Sequence, residues 1–264
     1  KRQPKNQRAI EKRERICNVP TRTGVPRRGG KVVAAQTELW RQRLTTPAYR
    51  LLEAARYART SNGTIRNWEK VKGNRTVVTT RDEGESLSYL QLIEVGVVAR
   101  MRQARVTLER IRAAREYLAE EFGSPFPFAQ YRFKTDGKSL FMDYDQIVPA
   151  DKEKLLDVNE RGQLAWTPIL GDLLQEFEYD ADLGTVLRWK VAGVDSPILI
   201  DPRIAFGSPH VSGIPTWVLR DRWKSGEGLG DIAEDYDIPI DLVTAALRFE
   251  RIEVDPDRPH KWLH

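Results

Sequence analysis

Between positions 61 and 67 the chain reads S-N-G-T-I-R-N. Ser61, Asn62, Thr64, Arg66 and Asn67 there carry short hydroxyl and amide groups and one guanidinium. Side chains of this kind hydrogen-bond base edges in a groove and phosphate oxygens beside it. Two residues earlier stands Arg59, and Lys72 and Arg75 come after, flanking Gly73-Asn74. If residues 62–70 form a helix, Ile65 and Trp68 face inward and the polar set faces out. The chemistry this spacing points to is nucleic-acid contact, with Arg59, Ser61, Asn62, Thr64, Arg66, Asn67, Lys72 and Arg75 as the candidate DNA-binding residues.

Catalytic chemistry has much less to stand on. The three histidines, His210, His260 and His264, do not have the spacing of a metal site. Asp231, Glu234, Asp235 and Asp237 cluster, but on and just after one short helical segment, where solvated helix charge is the simpler reading. No GxxxxGK[ST] phosphate loop occurs among the glycines. The single cysteine, Cys17, excludes an internal disulfide framework and a cysteine-cage metal site. The expectation is no enzyme, no catalytic residue, no metal and no cofactor.

The elements that must hold the polar stretch are readable around it. Residues 51–58 have helix-forming composition, with Leu52, Ala55 and Ala58 expected on one face. Ser61 is a good N-cap for the next helix. Small residues Ala54, Ala55 and Ala58 let that helix cross closely, which together describes a helix-turn-helix. Residues 71–80 look like a hairpin wing. Longer helices are expected over 87–103 and 107–122, the second capped by Thr107. Leu108, Ile111, Leu118 and Phe122 form an apolar stripe along it, a candidate homodimer seam, with packing under the chain's own domain as the commoner alternative.

Beyond Gly123 the texture changes. A hairpin is expected over 131–144 around Asp136-Gly137, with short strands at 155–157, 163–166, 177–179 and 187–190 and a helix over 168–174. Three helices are expected over 216–224, 229–236 and 240–249, separated by Gly226 and the Asp237-Ile238-Pro239 turn. The fold class expected is α+β and mostly helical. It comprises a flexible basic arm (1–44), a winged helix-turn-helix head with following helices (45–122), a small α+β region (123–196) and a C-terminal three-helix, helix-turn-helix-like domain (197–264).

Charge divides along the same lines. Residues 1–36 carry 11 basic and 2 acidic side chains, a net +9; residues 37–122 carry 16 and 11, a net +5; residues 123–264 carry 16 and 25, a net −9. A basic front suits a phosphate-rich partner. An acidic back suits a basic protein partner. No apolar run approaches the ~20 residues of a membrane span. The opening residues lack an apolar signal core, so a cytoplasmic location without membrane association is expected.

Three stretches carry a resemblance. The segment 46–69, with E-A-A-R-Y-A and T-I-R-N-W, resembles the MerR-type head of VapB-like antitoxins. LSYLQLIEVGVVARMR followed by LERIRAAREYL resembles the helices after it, and IDPRIAFGSPHVSGIPT followed by IAEDYDIPIDLVTAALRFE resembles the C-terminal antitoxin domain long catalogued as of unknown function. The resemblance covers about residues 45–250 and leaves the arm out. It implies an antitoxin with a PIN-domain ribonuclease toxin as partner and repression of its own operon through operator DNA. It also implies that Arg59, Ser61, Asn62, Thr64, Arg66 and Asn67 are turn and recognition-helix positions, and that Trp68 holds the helix. A MerR-like regulator with a ligand-sensing C-terminal half is the alternative reading.

Overall fold

The computed structural model describes residues 39–130 and 174–254, apart from 73, 74, 83, 85 and 181. Residues 1–38 of the arm, the strands expected between 131 and 166, nearly all of the helix expected over 168–174, and His260 and His264 lie outside the described residues.

Helix α1 (Leu51–Tyr57) ends at Ala58, and α2 (Asn62–Glu69) begins at Ser61, whose Oγ accepts the Thr64 N–H at 3.0 Å. That cap satisfies one of the orphan donors of a new helix. Ala54, Ala55, Tyr57 and Ala58 of the first helix are buried with Ile65 and Trp68 of the second. Leu52, expected on this inner face, is 70% exposed, because the alanine face rather than the leucine turns toward the core. The wing expected over 71–80 contracts to a single antiparallel bridge between Lys72 and Arg75, since Val77 and Val78 dive into the core immediately after it.

Helix α3 (Tyr89–Gln103) starts from a reciprocal box in which Ser88 Oγ accepts the Gln91 N–H and Gln91 Oε1 accepts the Ser88 N–H. It begins two residues later than the sequence suggests because Leu87 is bridged to Tyr49, with N–H to O distances of 2.8 and 2.9 Å. Every residue from Tyr89 to Met101 is buried, as expected for a helix that is apolar all round. Two charges in it are compensated. Glu94 accepts the Thr79 N–H at 2.7 Å and lies 3.7 Å from Arg115, while Arg100 binds Glu176 at 2.6 and 2.8 Å. Burial pushes the Glu94 pKa up, and Arg115 and the Thr79 donor oppose that shift.

Helix α4 (Leu108–Phe122) is capped by Thr107 and stopped by Gly123 in the left-handed region. Ile111 and Leu118 are buried in the chain's own core, and Leu108 packs against it. A seam through Ile111 and Leu118 would therefore require that core to open. The side chain of Phe122 lies outside the described residues. The short α5 (Pro127–Gln130) comes next.

Strands β1 (Phe177–Asp180), β2 (Thr185–Lys190), β3 (Leu199–Ile200), β4 (His210–Val211) and β5 (Ile214–Pro215) form one antiparallel sheet in sequence order. The boundary expected at 196–197 thus falls inside a sheet. The sheet packs on α3 at Gly96, where an added Cβ would meet Trp189 at 3.0 Å and Phe177 at 3.1 Å. Helices α6 (Thr216–Lys224), α7 (Leu229–Asp235) and α8 (Ile240–Phe249) close the chain, matching the expected trio with α7 one residue shorter.

One hydrophobic cluster runs from Tyr49 to Leu247 and includes all of these elements except the solvent-facing turns. The architecture is mixed α and β, with helices flanking one five-stranded antiparallel sheet. No helix among the described residues is long and apolar enough to cross a membrane.

Candidate nucleic-acid interface

The polar stretch is brought onto α2 and its entry turn, but its members differ in availability. Arg59 stands at the left-handed position after α1, with φ 54°. The Thr60 N–H bonds Ala55 O at 2.9 Å and the Arg59 N–H bonds Arg56 O at 3.2 Å, the paired closure of a Schellman motif. Arginine there costs about 1–2 kcal/mol that glycine would not. Ser61 and Thr64 are committed to the cap, their hydroxyls 2.8 Å apart. Asn62 is half-buried, whereas Arg66 and Asn67 are exposed. Trp68 is buried and its carbonyl accepts the Val77 N–H at 3.0 Å, so it anchors both α2 and the segment that returns to the core at Val77.

Pairing separates the cations further. Arg75 is tied to Glu116 on α4 at 2.7 Å. Arg59, Arg66, Lys70 and Lys72 are exposed and have no carboxylate within ion-pair distance among the described residues. In the C-terminal helices Arg220 binds Asp221 at 2.8 Å and Glu250 at 3.4 Å, and Arg222 reaches Glu227 and Asp235, while Lys224 and Arg248 are exposed like the cations around α2. Exposed, unpaired cations are those free to neutralise phosphate.

A cleft of about 850 Å³ opens where α2 begins. Ser61, Asn62 and Gly63 line one side, Leu52, Glu53 and Arg56 of α1 lie next to them, and Trp217, Arg220, Glu250 and Arg251 line the other. At its base Glu250, with a side chain only 5% exposed, joins the two sides. It accepts from Arg56 at 3.3 Å, from Arg220 at 3.4 Å and from the Thr216 hydroxyl at 2.5 Å. The Arg56 guanidinium also lies 4.8 Å from the Phe249 ring, and Tyr57 stacks on that ring at 6.2 Å. These fasten α1 directly to the end of α8.

None of these cross-chain residues is readable from the sequence. Arg56, Glu250 and Arg251 look like ordinary surface charges in their own segments. The sole local signal is the absence of glycine after α8: Arg251 takes φ 62°, with the Ile252 N–H bonded to Leu247 O at 2.9 Å. His210 is buried in β4, where burial pushes its pKa down, and Asp231, Glu234, Asp235 and Asp237 sit along and after α7.

Residues 198–249 match a family model described as a protein of unknown function, DUF433. The chain is similar to the X-ray crystal structure of Rv2018 from Mycobacterium tuberculosis, with a TM-score of 0.60 and 23% sequence identity over 77% of this chain and 99% of that one. At that identity the likeness shows a shared fold. No curated protein matches the chain.

Proposed function

We propose that this protein is a DNA-binding antitoxin. It binds operator DNA through α2 and the residues around it, represses its own operon, and neutralises a PIN-domain ribonuclease toxin. The observation that carries the DNA part is the gathering of cations on and beside α2. Arg59, Arg66, Lys70 and Lys72 stand exposed there, with no carboxylate within ion-pair distance among the described residues. Phosphate affinity needs cations of this kind.

The C-terminal helices support the protein partner. Glu234, Asp235, Asp237 and Asp241 are exposed around the α7–α8 turn, beside Ile240 at 50% exposure. Although Asp235 pairs with Arg222, an acidic turn that also exposes an apolar side chain suits the basic groove of an enzyme that handles RNA. Two copies would act on one operator, since a single head reads too few base pairs for specificity. With Ile111 and Leu118 packed inside, such a homodimer would form through other residues.

The test is co-expression of the full chain with the product of the adjacent reading frame. A stable complex in which RNA cleavage is suppressed supports the reading. A ribonuclease that stays fully active with the chain in excess defeats it, as does failure of the two proteins to associate.

A further inference from the structure

The cleft brings the start of α2 and the end of α8 onto one concave surface. Its lining has three arginines, Arg56, Arg220 and Arg251, against two carboxylates, Glu53 and Glu250. Glu250 already holds Arg56 and Arg220. Arg251 has no carboxylate within ion-pair distance among the described residues and is exposed. It also keeps a left-handed backbone, φ 62°, at a helix end where glycine is the easy choice. Arg59, two residues before the α2 cap, has the same conformation, as does Arg105 after α3. A strained residue whose side chain makes no ion pair among the described residues is a candidate for contact with something outside them.

We infer that Arg251 contributes a contact to the phosphate backbone of the DNA duplex whose groove α2 enters, so that the C-terminal helices form part of the nucleic-acid surface. The inference rests on the DNA-binding reading above. Residues at the start of a reading helix approach base edges, and the strand bordering that groove runs past the helix start. In this protein the surface found there is the far side of the cleft, fixed in place by the Glu250 contacts to Arg56, Arg220 and Thr216. Among the described residues, Arg251 is the cation of that side without a partner carboxylate.

The strain supplies a clean test. Arg251→Gly removes the guanidinium and relaxes the backbone at the same time, so the variant should melt at or above the wild-type temperature. Binding is followed by fluorescence anisotropy with the full chain on two labelled duplexes, the region upstream of its gene and a mixed-sequence control. The expected result is about tenfold weaker binding to both, with the slope of log affinity against log salt shallower by about one. Arg251→Lys should retain most of the affinity. Arg66→Ala is measured alongside. If Arg66→Ala weakens binding while Arg251→Gly leaves affinity and slope unchanged, the DNA reading stands and this inference is overturned. If the wild-type chain binds neither duplex, both fail.

Discussion

The Tyr49 hydroxyl donates to the carbonyl oxygen of Gly207 at 2.9 Å, and a Cβ on Gly207 would collide with that same hydroxyl oxygen. The two residues are 158 positions apart. One stands just before α1, and the other lies in the turn between β3 and β4. The contact ties the head to the sheet through backbone that tolerates no side chain, since Gly207 also has φ 78°.

Gly207→Ala should therefore destabilise the protein by about 2–4 kcal/mol, combining left-handed strain with a steric displacement of Tyr49. Urea unfolding followed by tryptophan fluorescence measures it. An unchanged midpoint would show that the turn can move aside.

Alkaline pH acts on the same region. Burial pushes the pKa values of Tyr49, Tyr57 and Tyr89 up; Arg56 opposes this at Tyr57. The folded state thus holds these protons more tightly than the unfolded chain, whose tyrosines titrate near about 10. Their contribution is complete below that pH and is lost as pH rises from there through the raised folded values. Unfolding midpoints between pH 8 and 11 should fall, and the fall should shrink in Tyr49→Phe. Tyr89 has a buried hydroxyl with no hydrogen-bond partner among the described residues, so Tyr89→Phe should be neutral or stabilising by about 1 kcal/mol at pH 7. A large loss would reveal a partner for that oxygen.

Glu250 joins α1, α6 and α8 in one network. Removing a buried carboxylate leaves its cations unbalanced, which costs about 3–5 kcal/mol in a fully buried site. Arg56 and Arg220 are each near one-third exposed, so Glu250→Ala should cost less, about 2–3 kcal/mol. A double-mutant cycle with Arg56→Ala should give a coupling above about 0.5 kcal/mol. Additive losses would mean that the two side chains act independently.

Which of these features are legible in the sequence depends on their range. Ser61 and Thr107 announce their helices because a cap is a local hydrogen bond, and the Asp237-Ile238-Pro239 turn separates α7 from α8 for the same reason. The strands at 177–180 and 185–190 show through their β-branched and aromatic residues, but their pairing with residues 199–215 does not. Leucine usually packs inward, yet tight crossing by α2 favours the alanine face and leaves Leu52 outside. The candidate site divides likewise. Residue types on α2 are legible, yet Arg75 loses its availability to Glu116, and Arg251 enters the cleft, through contacts no local pattern encodes.

If the exposed cations on and beside α2 hold DNA, one titration shows it most directly. Wild-type chain and Arg66→Ala are compared by anisotropy on the duplex upstream of the gene at one fixed salt concentration. Arg66→Ala should bind about 1–3 kcal/mol more weakly, as for a lost base or phosphate contact. Arg75→Ala, already paired with Glu116, should lose less. Equal affinity of Arg66→Ala and wild type would contradict the account.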